Sequence, residues 1–374
     1  MSTPTGETPQ VEHERAPGGA VPDPTSPGTP EPTAPSSTSA PLVAKLRRAA
    51  TSTSGSMPIF LALIGIIVVF SIMKPNAFLG SYNIKSIFID ASVALTLSVG
   101  MTYVIITAGI DLSVGAILVF SGVIALKVMI ALAGGANAAN NAGWGIILLG
   151  IAAGLGAGLA WGLLNGLLIA LLDLPPLIVT LGSFGAALGL ADVLTGGVDL
   201  SGVPNDLGSS IGAGSIGPIP VLVFIAGIVT IVFGLILHTT KFGRYTYAIG
   251  SNQEAARRAG VNVKRHLIQV YALSGLLSGL GGILSLAYFT TTSINGHNTD
   301  NLTAISAVVI GGTSLFGGVG AMAGTVVGVF IPVVLGSGLV IVGVQSFWQG
   351  VMIGVILVAA VYFDQLRRRA RLRG

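Results

Sequence analysis

Apolar residues in this chain fall in long runs broken by short polar or glycine-rich stretches. A run near 20 residues is what a helix needs to cross a bilayer. On that pattern ten helices are predicted, at roughly 57–73, 88–108, 112–132, 146–172, 177–195, 219–238, 266–288, 302–312, 321–341 and 347–363. The eighth is too short to cross alone and runs into GGTSLFGGVG at 311–320, so a broken helix is expected there. The expected fold class is an all-α polytopic membrane protein of about ten transmembrane helices, one or two of them broken or short, behind a disordered N-terminal tail.

Charge orients the runs. Residues 1–44 are rich in Pro, Thr, Ser, Gly and Glu and lack an apolar cluster, which predicts a disordered cytoplasmic tail. Its polar, acidic start does not match a signal peptide. The membrane domain is expected over 45–364, with a basic cytoplasmic tail at 365–374. Three basic clusters should lie inside: Lys45, Arg47 and Arg48; the loop 241–265, which holds six Lys/Arg against one acid; and Arg367, Arg368, Arg369, Arg371 and Arg373. Six crossings followed by four satisfy all three and leave Lys74 and Lys85 facing outward.

Composition removes several classes of chemistry. The absence of cysteine excludes disulfides, thiol catalysis and Cys-based metal sites. The net charge of +4 sits in clusters between apolar runs, which argues against a nucleic-acid face. No lysine follows a glycine, so the chain has no phosphate-binding G-x-x-x-x-G-K-[ST] loop despite its glycine-rich run. His13, His238, His266 and His297 form no nucleophile–His–acid set, and His297 has no metal-ligand spacing. No enzymatic activity, metal or bound cofactor is expected in this chain.

Polar residues inside the runs are the remaining candidates. Asp90, Asp111, Asn165, Thr180 and Thr313 are candidates for a substrate pathway or gate, because such groups at membrane depth are costly. Asp111 also fits the N-cap of the helix after it, near the interface, and Asn165 fits an interhelical hydrogen bond. Asp173, before Pro175 and Pro176, reads as a surface loop residue. A glycine every fourth residue, from Gly150 through Gly154, Gly158 and Gly162 to Gly166, makes a bare stripe suited either to close packing or to a sliding interface. On the outer side, Asn295, His297, Asn298 and Asp300 in TTTSINGHNTD could dock an extracytoplasmic partner or belong to an ordinary solvated loop.

The loop 241–265 contains its own small helix. Ser251 or Asn252 can cap AARRAG, Glu254 suits its N-terminal end, Arg257 and Arg258 its last turn, and Gly260 a left-handed stop. Glu254-Ala255-Ala256 followed by Gly260 resembles the EAA coupling motif of bacterial ABC importer permeases, although Val270-Tyr-Ala-Leu273 stands where that motif continues as Ile-x-Leu-Pro. Four blocks together resemble the ribose-type sugar permeases: GMTYVIITAGIDLSVGA at 100–116, NGLLIALLDLPPLIVTLG at 165–182, KFGRYTYAIGSNQEAARRAGVNVKR at 241–265 and AISAVVIGGTSLFGGVGAMAGT at 304–325. Ala108 replaces a common family glycine, a change expected to be neutral, and Thr303 stands where an acidic residue often lies, which removes a charge near the outer mouth.

The resemblance implies the permease subunit of an ABC importer for a monosaccharide, a ribose-like pentose or hexose. It places ATPase coupling at Gly250, Ser251, Asn252, Glu254, Ala255, Ala256, Arg257 and Gly260, within a helix expected over 250–262. ATP and Mg would be used by a partner ATPase, a separate subunit or fused dimer. The other implied partners are an extracytoplasmic sugar-binding protein, membrane lipid, and a second identical or related permease. The implied location is the bacterial inner membrane, with both termini cytoplasmic. A branched-chain amino-acid or nucleoside permease is the alternative, followed by an ion-coupled secondary transporter.

Overall fold

The structure, a computed structural model, describes residues 57–345 and 347–373. The expected tail 1–44 and the anchor Lys45, Arg47 and Arg48 lie outside the described residues. The long helices are α1 (Met57–Met73), α2 (Ser81–Ile106), α3 (Val114–Ala133), α4 (Trp144–Leu171), α5 (Pro176–Thr195) and α6 (Val221–Thr239). Two shorter helices, α7 (Lys241–Ser251) and α8 (Gln253–Arg258), precede α9 (Val263–Phe289), α10 (Asp300–Ile310), α11 (Met322–Ile341) and α12 (Phe347–Arg373).

Each predicted run corresponds to one helix, but among the described residues length and composition qualify only α2, α3, α4, α5, α6, α9 and α11 to cross a membrane. The apolar parts of α1, α10 and α12 are shorter. As expected, α10 stops at the glycine-rich run, which continues irregularly to Ala321. The last helix runs through the stretch expected as a separate tail, to Arg373. The connection 196–220 carries a two-stranded hairpin, β1 (Ser215–Ile216) antiparallel to β2 (Ile219–Pro220).

Helix ends follow local chemistry. Pro176 opens α5 at a position whose N–H needs no partner, and left-handed Gly196, at φ +70°, closes it. Asn262 caps α9 by accepting a hydrogen bond from the Arg265 amide at 3.0 Å.

The centre is built from α2 and α9. The apolar window is 78% buried in α2 and 67% in α9, against 28% in α4, α5 and α6, which places the last three at the periphery. The glycine stripe of α4 is the seat for its neighbours. A Cβ at Gly158 would stand 2.9 Å from the Gly279 Cα, one at Gly166 2.8 Å from the Ile268 Cα, and one at Gly154 2.8 Å from the Ser121 carbonyl oxygen. So α4 lies with its backbone against both α9 and α3, and Gly275 and Gly279 of α9 answer the stripe from the other side. In lipid, where apolar burial does not drive helices together, such close approach supplies the van der Waals contact that does.

Candidate functional site

The basic loop is mostly helical. Gly250 and Ser251, expected in the coupling helix, instead end α7, and the helix expected over 250–262 is confined to Gln253–Arg258. The difference arises because Asn252 adopts an extended conformation and breaks the chain into two helices. Its side chain accepts from the Ala255 amide at 2.9 Å, so Asn252, not Ser251, is the cap. Gly260, at φ +86°, takes the left-handed stop. Glu254 pairs with Arg257 at 2.5 Å and Arg258 at 3.1 Å, but all three side chains are exposed, and such pairs contribute under about 1 kcal/mol. Ala256 is buried and packs with Ile249 and Val263, which leaves Ala255 and the charged side chains on the open face.

Beneath this helix, three backbones meet. The Gly318 amide donates to the Ile106 carbonyl at the end of α2, at 2.9 Å. Gly250 lies on the same carbonyl so closely that a Cβ would overlap it, and that Cβ would sit 2.6 Å from the Gly318 nitrogen. Gly317 and Gly318 have φ of +80° and +73° and face Gly250 and Ser251. The Tyr247 hydroxyl donates to the Gly320 carbonyl at 2.8 Å, and burial pushes the phenol pKa above its ordinary value. From α12, Asp364 accepts from the Ser314 hydroxyl at 3.1 Å and the Leu315 amide at 3.2 Å, clamping the glycine-rich run. Thr313 is buried there, its hydroxyl without a hydrogen-bond partner among the described residues.

Ala108 is not neutral: its φ is +62°, in the region that favours glycine. This turn leads directly to Asp111. That carboxylate is fully buried and accepts from the Ser113 amide at 3.0 Å, the Ser113 hydroxyl at 2.5 Å and the Ser274 hydroxyl of α9 at 2.9 Å. The N-cap expectation is corrected, since Ser113 occupies the cap position of α3 and Asp111 lies two residues earlier, buried rather than near the interface. Asn165 of α4 donates to the Ser113 hydroxyl at 2.9 Å and accepts from Ser183 of α5. Thr180 donates to the Pro176 carbonyl at 2.8 Å and stands 3.5 Å from the Ile110 carbonyl. Thus Asp111, Asn165 and Thr180 are brought together, and their network joins four spans.

Elsewhere the expectations separate. Asp173 is exposed, as expected of a loop residue, and lies 3.7 Å from Lys264. Among the docking candidates of the segment between α9 and α10, Asn295 and Asn298 are exposed, whereas His297 is buried between the Ser285 hydroxyl and Asp300, each at 2.7 Å. His297 therefore does not present an open docking surface, because its Nε2 is engaged by Ser285 of α9 and its Nδ1 by Asp300 of α10. Asp199 accepts from the Ile294 amide at 2.9 Å and ties the 196–220 connection to the same segment. Asp90 is remote from the Asp111 network and opens, with Thr303, into a cavity of about 780 Å³. Among the described residues no three His, Cys, Asp or Glu form a group able to hold a metal ion.

The interhelical place of Asn165 was legible as a lone amide in an apolar run. Asp364 and Asp199 were missed. The former offered one signal, a carboxylate at the end of the last apolar run.

Comparison with known proteins adds the following. Residues 83–361 match the family described as branched-chain amino acid transport system / permease component. The ribose import permease protein of Bacillus subtilis (strain 168) is 37% identical over 307 residues, which cover 82% of this chain and 91% of that protein. The D-allose transport system permease protein of Escherichia coli (strain K12) is 34% identical over 307 residues, 82% of this chain and 90% of that one. The fructose import permease protein of Rhizobium meliloti is 32% identical over 341 residues, 88% and 90% of the two chains. No solved structure matches.

Proposed function

The chain belongs to the family of permease components of branched-chain amino acid transport systems, and from that premise we propose that it is the membrane subunit of an ATP-driven importer for a monosaccharide, a ribose-like pentose or a hexose. The sugar reading rests on relatives whose names specify ribose, allose and fructose along most of this chain. The observation that carries the mechanism is the backbone junction of Gly250, Ile106 and Gly318, which joins a charged helix pair to the end of the most buried span.

In this mechanism a separate ATPase, using ATP and Mg, seats α8 through its exposed Glu254, Ala255, Arg257 and Arg258. Movement of α7 presses on the Ile106 carbonyl, and the turn at Ala108 passes it to the Asp111 network, where α3, α4, α5 and α9 shift as a unit. An extracytoplasmic sugar-binding protein delivers the substrate, and two copies or a related pair form the pathway. Ten crossings of the bacterial inner membrane, with both termini inside, complete the arrangement. Neutral sugars require hydrogen bonding rather than ion pairing, which suits a membrane interior poor in charge.

Vesicles reconstituted with this subunit, its cognate ATPase and its binding protein should take up labelled ribose, allose or fructose only when ATP and both partners are present. Uptake of labelled leucine in place of all three sugars, or ion-driven sugar uptake by the subunit alone, would overturn the proposal.

A further inference from the structure

Asp90 is the tenth residue of α2, roughly 14 Å along the helix at 1.5 Å per residue. An ionised side chain on a membrane-spanning helix is tolerated where it faces a water-filled space or a partner. The space here is the cavity of about 780 Å³ between α2, α10, α11 and α12, beside the outer end of α9. Its two carboxylates are in different states. Asp300 is held by the His297 ring at 2.7 Å, whereas Asp90 has no hydrogen bond or ion pair among the described residues.

The rest of the wall is largely apolar, from side chains such as Ile89, Val93, Val333 and Val340, with a few polar groups set in it. Asn83 accepts from the Ser337 hydroxyl of α11 at 2.7 Å and donates to the Phe78 carbonyl at 2.8 Å, so its amide is oriented with capacity left over. Thr303 and Gln349 face the same space, and Tyr82 adds an aromatic ring. A volume of several hundred cubic ångströms, with a few convergent polar groups and an aromatic wall, suits a small organic ligand. A hard cation would need six or more oxygens drawn in close around it, which one free carboxylate in so wide a space does not supply.

We propose that this cavity is the subunit's own site for the transported neutral sugar. The Asp90 carboxylate accepts a pair of sugar hydroxyls, and Asn83, Thr303 and Gln349 complete the hydrogen bonding. The proposal rests on the monosaccharide reading above and deepens it: the subunit selects its cargo in part, after the binding protein has released it.

The test uses the purified subunit in lipid nanodiscs, without ATPase or binding protein, with D-ribose, D-allose and D-fructose as probes and saturation-transfer NMR as the readout. Weak binding of at least one sugar is expected. Loss of charge-assisted hydrogen bonds in Asp90→Asn should weaken it roughly tenfold or more, while Asp206→Asn, on the outer connection, should bind as the wild type does. Asp90→Asn keeps the side-chain size, and an unchanged thermal midpoint shows that it is folded. Saturation transfer to none of the three sugars, or equal binding by Asp90→Asn, overturns the site. Uptake by the complete importer separates the two readings: sugar uptake without binding to the isolated subunit removes only this site, and leucine uptake without sugar uptake removes the monosaccharide reading beneath it.

Discussion

At the scale of single residues, the positions that matter most are those where a side chain is absent or disfavoured. Ala108 holds a left-handed conformation that costs an L-residue roughly 1–2 kcal/mol. Glycine would remove that strain but add about 0.4–1 kcal/mol of unfolded-state entropy. The balance predicts that Ala108→Gly stabilises the folded subunit by roughly 0.5–1 kcal/mol, seen as a higher thermal midpoint in detergent; a lower midpoint would show that the turn does not carry this strain. The sequence displayed Ala108 as a departure from a family pattern, but not its cost, because φ is set by the chain's path between two spans. Asp111 was legible as an acid interrupting an apolar run, read as a pathway group or as an N-cap near the interface, but its full burial was not. Nor were its partners, since Ser113 and Ser274 lie 2 and 163 residues away and small hydroxyls are common in such runs.

At the scale of elements, the apolar runs placed the helices and the glycine spacing identified the face of α4 that packs. Periodicity exposes a face in this way but does not name what lies against it, and here it is α9 for most of the stripe and α3 at its N-terminal end. The stripe is close-packed over its whole length, the state expected of a packing seam. A Cβ at Gly162 would overlap the Tyr271 carbonyl and stand 3.0 Å from the Gly275 Cα, both backbone atoms that cannot rotate away. Gly162→Val should therefore cost on the order of 1–3 kcal/mol, the range for forcing extra volume into a packed interface. Its thermal midpoint should drop well below that of Gly156→Val, because Gly156 lies on the same helix with open space around it. Equal midpoints would mean that α4 and α9 separate without loss.

For the whole molecule, the proposed mechanism turns on how a push on α7 and α8 would reach the spans. The charged face of α8 was readable from its caps and charges, but its connection was not, because the link is made by main-chain atoms of Ile106, Gly250 and Gly318 and leaves no side-chain signature. A contact of that kind has little slack: two glycines bring α7 and the glycine-rich run onto one carbonyl, while Tyr247 and Asp364 hold the run from either side. On the proposed mechanism, displacement of α7 would pass to α2 with little loss, whereas a link through long side chains would absorb it in rotamer changes. Gly250→Ala inserts a methyl group at that carbonyl and should part the surfaces. Mutations along a coupled network typically change coupling by roughly 0.5–2 kcal/mol, so uptake per ATP hydrolysed should fall by about tenfold. On the proposed coupling, ATPase binding should be retained, since Glu254, Arg257 and Arg258 remain exposed on the open side of α8. The measurement is the ratio of sugar uptake to ATP hydrolysis in vesicles, beside co-purification of the ATPase. Loss of co-purification would place the defect at the partner surface instead, and an unchanged ratio would show that the force enters the spans by another route.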